Sequence, residues 1–346
     1  MSIGFVVIGR NEGERLKRCL QSVIGAAGPV IYVDSGSTDG SAETARDLGA
    51  SVVNLDLSIP FSAARARNEG FKRLIKTAPE SAYVQFVDGD CELISGWLAA
   101  ATAALLEQPD VVIVAGKLSE RFPQASIYNR LGELEWNFAG TGEVSAVGGI
   151  FMIRRQAFED AGGFDATVMA GEEPELCRRL RIGGWHLLRL DDDMAWHDLG
   201  MTRFGQWWWR QVRGGYGGLD VVWRFGLEDY KRNNWRARFW SFWPVLILLS
   251  GSLAGLLAAL PVALLWPAQF ARIALNTWRG GQPPRVSLAY AFFTMLSFWP
   301  QMLGQARYLM DRLQSRAPRL IEYKTALQPI RQAGAANLDS VRSQTP

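Results

Sequence analysis

Apolar positions in the first third of the chain follow two alternating patterns. Short runs rich in β-branched residues, at Ile3–Ile8, Val30–Val33, Ser51–Leu55, Tyr83–Val87 and Val111–Ala115, read as buried strands. Between them, Asn11–Val23, Ser41–Leu48, Ala63–Lys76 and Trp97–Leu106 carry apolar residues at helical spacing; Leu16, Cys19, Leu20 and Val23 share one face of the first. Strands alternating with helices predict an α/β fold with a mixed, mostly parallel sheet covered on both faces. Such sheets bind ligands at the carboxyl ends of their strands. The polar clusters Gly9–Glu12, Asp34–Asp39 and Asp88–Asp90 all fall there.

The pattern changes after residue 238. Phe242–Leu265 is free of charge, long enough as a helix to cross a bilayer core of about 30 Å. Trp243 and Trp266 bracket it. Val286–Gly304 is a second uncharged stretch, interrupted by Pro300. Three readings stand: a pair of spanning helices, a buried helical hairpin, or a pair of helices lying in the interface. Charge sharpens the division. Residues 1–202 hold 19 Lys/Arg against 28 Asp/Glu, whereas 203–346 hold 18 against 6 and ten of the 14 tryptophans. An acidic front half argues against nucleic-acid binding; a basic, Trp-rich back half suits an anionic membrane surface. Cations flank both ends of the apolar region more densely than its middle, which predicts that the front half faces the cytoplasm. The expected organisation is an α/β domain at 1–202, basic aromatic helices at 203–238, two hydrophobic helices at 239–306, and a basic tail at 307–346, polar and unstructured after about Gln328. Gly214–Gly218 reads as a hinge or a close-packing turn.

Composition removes other classes. Hydrophobic residues at 48% and charged residues at 21% are ordinary for a globular chain, which excludes low-complexity architectures. Cys19, Cys91 and Cys177 form no C-x-x-C pair, so neither a disulfide framework nor a cysteine zinc site is expected. The first residues read as a strand and loop rather than a secretory leader.

Four clusters carry candidate chemistry, each with a plainer alternative. Asp88-Gly89-Asp90 leaves a buried strand with two hard oxygen donors, suited to Mg²⁺ or Mn²⁺ on a phosphate, or it is a polar turn. Asp34-Ser35-Gly36-Ser37-Thr38-Asp39 offers short acceptors for a ribose or base, or caps the next helix. Gly171-Glu172-Glu173-Pro174-Glu175 opens a helix with acids, which suit a general base or the helix dipole. His197 is a metal ligand or a structural histidine. The expected G-x-G-x-x-G of a dinucleotide fold is missing after the first strand, and no P-loop occurs.

Taken in order, VVIGRNE (6–12), YVDSGSTDG (32–40), ARARNEG (64–70), VQFVDGD (84–90), VGGIFMIRRQAFEDAGGFD (147–165), GEEPELCRRL (171–180) and WHD (196–198) resemble the family 2 glycosyltransferases of GT-A fold over about residues 1–200. The resemblance implies inverting transfer of a sugar from a nucleotide-diphospho-sugar to an acceptor hydroxyl. It implies that Gly9, Arg10, Asn11, Glu12, Asp34 and Ser35 line the nucleotide and that Arg67 reaches the base or phosphates. Asp88 would face the ribose and, with Asp90, hold the metal, with His197 as a further ligand. Gly148 and Gly149 would lie beside the donor sugar and acceptor, and Glu173, or its neighbour Glu172, would be the general base. The family usually has Asp at the base position, and often a second acid where this chain has Ser35. Gln206–Arg210 resembles the QxxRW motif of processive synthases but is one residue too long, which implies addition of a single sugar. The back half and family habit together imply a lipid-linked saccharide acceptor at a bacterial inner membrane, met by Arg210 and Arg213. Two rivals are a polyprenyl-phosphate glycosyltransferase and an inactive sugar-nucleotide-binding scaffold.

Overall fold

The computed structural model describes residues 2–26, 28–137, 140–316 and 321–322. Its first half follows the predicted alternation: β1 (Ser2–Gly9), α1 (Glu14–Val23), β2 (Val30–Asp34), α2 (Ser41–Asp47), β3 (Ser51–Asn54), α3 (Ala63–Thr77) and β4 (Ser81–Asp88). Then come β5 (Cys91–Leu93), α4 (Trp97–Glu107), β6 (Val111–Glu120), α5 (Ile127–Trp136), β7 (Gly142–Glu143), β8 (Phe151–Arg154), α6 (Arg155–Asp160), α7 (Glu172–Ile182) and β9 (His186–His197). All the strands belong to one sheet, ordered β3-β2-β1-β4-β8-β6-β9-β5, with β7 on β9. Strands β3, β2, β1 and β4 run parallel, and their register sets Gly9 beside Asp34 and Ile8 beside Asp88, so the polar strand ends converge. No local pattern announces β8, which enters antiparallel to both β4 and β6.

Alternation of side chains builds two apolar layers. Phe5, Val7, Leu16, Leu20 and Trp97 fill one face of the sheet; Val6, Ile31, Phe71, Leu74, Phe86 and Phe158 fill the other. Each such side chain, fully buried, contributes about 1.5–3 kcal/mol. This rigid platform holds the strand-end loops.

The second half is helical: α8 (Phe204–Phe225), α9 (Glu228–Ser241), α10 (Trp243–Ala254), α11 (Leu256–Arg279) and α12 (Pro284–Leu313). Gly214–Gly218 is neither hinge nor turn but part of α8, where small residues permit close packing on three sides. A Cβ on Gly215 would come within 2.6 Å of the Gln301 backbone, one on Gly217 within 2.7 Å of Ala170 O, and one on Gly218 within 3.3 Å of Tyr230. Gly304 answers Gly215 from α12, since its Cβ would lie 2.7 Å from Tyr216 N.

The apolar stretch Phe242–Leu265 is not one helix. Gly255 adopts φ 83°, ends α10 and reverses the chain, and Trp243 Nε1 then donates to Val262 O at 3.1 Å. Among the described residues, α11 and α12 are each long and apolar enough to cross a membrane, with mean hydropathies of 1.5 and 1.2, and α9 with α10 reach that length only together, across a bend of 49°. Trp207, expected at a membrane boundary, is instead buried with Leu199 and Met201, because the front of α8 supplies core to the α/β domain. The polar tail after Gln328 lies outside the described residues.

Candidate active site

The strand-end loops are fixed by side chains that the sequence marked as candidate ligands. Asn11 sits at φ 55°; its side-chain oxygen accepts from Thr38 N at 2.7 Å and its own N–H donates to Ser37 Oγ, stitching the first loop to the second. Asp34 turns into its own loop. Its Oδ2 accepts from Gly36 N and Ser37 N at 3.0 and 2.9 Å, and Oδ1 from the Tyr32 hydroxyl at 3.1 Å. The carboxylate therefore shapes the loop and does not line the cavity, while Ser35, Gly9, Arg10, Asn11 and Glu12 do. Arg10 lies over the Phe61 ring and pairs with Glu322 at 2.6 Å, a partner from far along the chain that the sequence did not announce.

Arg67 is the centre of the site. It is 3% exposed on α3, and one guanidinium binds three carboxylates: Asp88 Oδ1 at 2.9 Å, Glu172 Oε1 at 3.0 Å and Glu173 Oε1 at 3.0 Å. Burial works against its charge, but Asp88, Glu173 and Glu172 outweigh it and hold the guanidinium firmly protonated. In this position Arg67 orients the acids from beneath. Gly149 is required by the same crowding. A Cβ there would lie 2.8 Å from Asp88 Oδ2 and 3.2 Å from Glu173 Oε1. Neither Gly148 nor Gly149 lines the cavity itself. Gly149→Ala is expected to leave the fold intact, since only side-chain ends must move, yet to lower turnover about a hundredfold by displacing the acids. Steady-state rates alongside a thermal melt check this.

The acids on α7 divide their tasks. Gly171, at φ 95°, starts the helix under Val221. Glu172 is buried on Arg67, while Glu173 keeps 16% of its side chain open to the cavity. Burial, reinforced by the charge of Glu172 and opposed by Arg67, pushes the Glu173 carboxyl up to about 7. Glu175 is structural: it grips Arg179 through both oxygens at 2.6 and 2.7 Å.

A second cluster forms where β5 pairs antiparallel with β9 and sets Cys91 beside His197. His197 Nε2 lies 3.2 Å from Asp90 Oδ2, and its ring stacks on Trp136 with centroids 4.3 Å apart. Its Nδ1 is buried with no hydrogen-bond partner among the described residues. Burial pushes the Cys91 thiol far up, so it stays protonated. Asp90 and His197, with the Cys91 thiol, bring possible ligand atoms within 4.8 Å of one another, and Asp88 lines the same cavity; a carboxylate oxygen beside an imidazole nitrogen suits a divalent ion such as Mn²⁺.

Around these groups lies a cavity of about 940 Å³. Glu173, Asp88, Asp90 and His197 form one wall; Arg210 and Arg213 of α8 and Tyr290, Thr294 and Gln301 of α12 form the other. Arg210 is paired with Glu135 at 2.5 Å. Gln206 is turned away from the cavity's chemistry and accepts from Thr202 N and Arg203 N, capping α8.

Known proteins fit this picture. Residues 5–162 match the glycosyl transferase family 2 profile. A glycosyltransferase, AglE, of Haloferax volcanii is 26% identical over 223 residues, covering 61% of this chain and 71% of its own. The pre-mycofactocin glycosyltransferase of Mycobacterium tuberculosis is 30% identical over 194 residues, 53% of this chain but only 39% of that protein. A mannosyltransferase of Pyrobaculum calidifontis, solved with GDP-Man and Mn²⁺, superimposes with a TM-score of 0.55 at 16% identity over 90% of this chain and 87% of its own, a likeness of fold. Residues 5–162 of the α/β half carry the likeness to glycosyl transferase family 2, and the fold is that of GT-A glycosyltransferases.

Proposed function

We propose that the protein is a membrane-attached, metal-dependent inverting glycosyltransferase that moves one sugar from a nucleotide-diphospho-sugar to a hydroxyl of a lipid-linked saccharide. The observation that carries this reading is the opposition of groups within one cavity: Glu173 is held by Arg67 beside Asp88, Asp90 and His197 follow, and helices joined to long apolar segments close the far side.

Each group has a task. Gly9–Glu12 and Ser35 receive the nucleoside at the strand ends, with Arg10 over Phe61 as one rim. Asp88, Asp90 and His197 would hold Mg²⁺ or Mn²⁺, which when bound neutralises charge on the leaving diphosphate. His197 is kept in line by Trp136 and Asp90. Glu173 takes the proton from the acceptor hydroxyl as its oxygen attacks the anomeric carbon opposite the leaving group. One base without a covalent nucleophile inverts the configuration, as in inverting glycosidases. Arg67 keeps the carboxylates apart and in register. It also lines the cavity where the sequence expected it to reach the base or phosphates.

The membrane reading rests on surface. Leu248, Leu253, Leu256 and Leu257, at the bend between α10 and α11, are 70%, 84%, 77% and 85% exposed. The 12 residues of α10 extend about 18 Å, less than the ~30 Å of a bilayer core. One face of α12 lines the cavity through Tyr290, Thr294, Ser297 and Gln301. These features favour a hairpin dipping into one leaflet; the denser cations at both ends of the apolar region support an active site on the cytoplasmic side of a bacterial inner membrane.

The test is a panel of nucleotide sugars, UDP-sugars first, with detergent-extracted protein. One of them is expected to bind and hydrolyse slowly with Mn²⁺ or Mg²⁺ and to lose both properties in EDTA. A folded protein that binds none would replace the transferase reading with that of an inactive scaffold. Supplying polyprenyl phosphate against a lipid-linked sugar then separates a polyprenyl-phosphate glycosyltransferase from an enzyme that extends a lipid-linked saccharide.

A further inference from the structure

We propose that Arg236 on α9, backed by Arg272 on α11, forms a seat for the phosphate of the lipid-linked acceptor at the membrane end of the active-site cavity. This rests on the lipid-acceptor reading and adds the residue that recognises the lipid's charged group.

Three observations converge on Arg236. It is half-buried and lines the same cavity as Glu173 and Asp88, together with Arg213, Asn233 and Tyr290. Several other cations lining the cavity are matched by acids: Arg10 by Glu322, Arg15 by Glu12, Arg67 by three carboxylates and Arg210 by Glu135. Among the described residues no carboxylate makes an ion pair with Arg236. Arg272 and Arg232, both cations, oppose its charge; the Tyr290 hydroxyl favours it but carries no charge while protonated, and Arg232 has Asp229 only at 3.9 Å. A desolvated guanidinium facing like charges is costly until an anion joins it. A phosphate answers the need, because its oxygens match the guanidinium fork and its charge offsets several cations at once.

Position selects which phosphate. Arg236 precedes the exposed leucine bend at Gly255 by 19 residues, and Arg272 follows it by 17. Both stand at the foot of the α10–α11 hairpin, where apolar surface ends and Trp240, Trp266 and Phe270 cluster with Phe298. A lipid whose tail follows the hairpin would bring its phosphate to this level and its head toward Glu173. Arg210, already held by Glu135, is a weaker candidate for the same task.

The experiment uses full-length protein in detergent micelles with undecaprenyl phosphate and undecaprenyl diphosphate as probes, and undecaprenol as the phosphate-free control. Wild type is expected to bind the two phosphates and not the alcohol. Arg236→Gln should weaken that binding by about tenfold to a hundredfold, the scale of a lost charge-assisted hydrogen bond. Arg236→Lys should recover part of it, and nucleotide-sugar binding should be unchanged in both variants. A second arm measures sedimentation with phosphatidylcholine vesicles with and without phosphatidylglycerol. If Arg236→Gln weakens vesicle binding yet binds undecaprenyl phosphate normally, the residue contacts bulk headgroups and the acceptor seat is refuted. Undiminished binding in both arms refutes it equally. If wild type binds no polyprenyl phosphate at all while still hydrolysing its donor, the lipid-acceptor reading itself fails.

Discussion

Glu173→Gln is expected to lower the transfer rate about a thousandfold while leaving the dissociation constant of the nucleotide sugar within about twofold of wild type, the range for loss of a general base. The glutamine amide fills the same volume and can still accept from Arg67, so the site stays assembled, but it cannot take a proton. The pH profile gives an independent check. A base works only when deprotonated. Burial and Glu172 push the Glu173 carboxyl up to about 7, so its protonated, inactive fraction grows as pH falls through about 7. The wild-type rate should therefore decline on the acid side near neutrality, well above the range of an ordinary carboxylate. Glu172→Gln removes the neighbouring charge and should move that limb to lower pH. Glu173→Gln should show only a residual rate without the limb. If instead Glu172→Gln abolishes transfer and Glu173→Gln does not, the base is the neighbouring carboxylate.

Asp90→Ala is expected to be the other large loss, at least about a thousandfold, and to erase the difference between Mn²⁺, Mg²⁺ and EDTA. Asp90 is buried, with His197 Nε2 3.2 Å from one of its oxygens and the Cys91 thiol 3.5 Å from the other. Removing it takes away a carboxylate donor and one support of the imidazole together. Circular dichroism and a thermal melt should show the fold retained, because the sheet pairing of Cys91 with His197 is made by backbone. Isothermal titration with Mn²⁺ in the presence of donor reads the loss directly. Unchanged metal-dependent turnover would remove Asp90 from the metal site.

The strands and helices of the first half were legible because a continuous apolar run and a 3.6-residue period are both local properties. The boundaries agree to within a few residues at Ile3–Ile8, Val30–Val33 and Ala63–Lys76. Clustering of Gly9, Asp34 and Asp88 also followed, since parallel strands place their carboxyl ends on one edge. The antiparallel β8 was not legible, because FMIR is a short apolar run like any other and nothing local gives its direction. Nor was the task of Arg67. The ARARN segment drew attention, but its ties to Glu172 and Glu173 join positions 105 and 106 residues apart. In the second half the charge-free run Phe242–Leu265 announced an apolar environment but not its shape. Hydropathy is nearly uniform across it, and one positive-φ glycine decides whether the chain continues or turns back.

The sequence by itself determined the α/β class, the strand-end position of Asp88 and Asp90, and the passage from an acidic front half to a basic, aromatic, apolar back half. These depend on composition and short-range spacing. Only the tertiary structure decided that three carboxylates share one buried arginine, that His197 meets Asp90 from 107 positions away, that Gly215 and Gly304 let α8 and α12 close the cavity, and that Arg236 lines it with no ion pair to an acid among the described residues. The physical reason is that charge and burial act through distance in space. A carboxylate's proton affinity and a cation's need for an anion are set by neighbours that only the fold brings within a few ångströms.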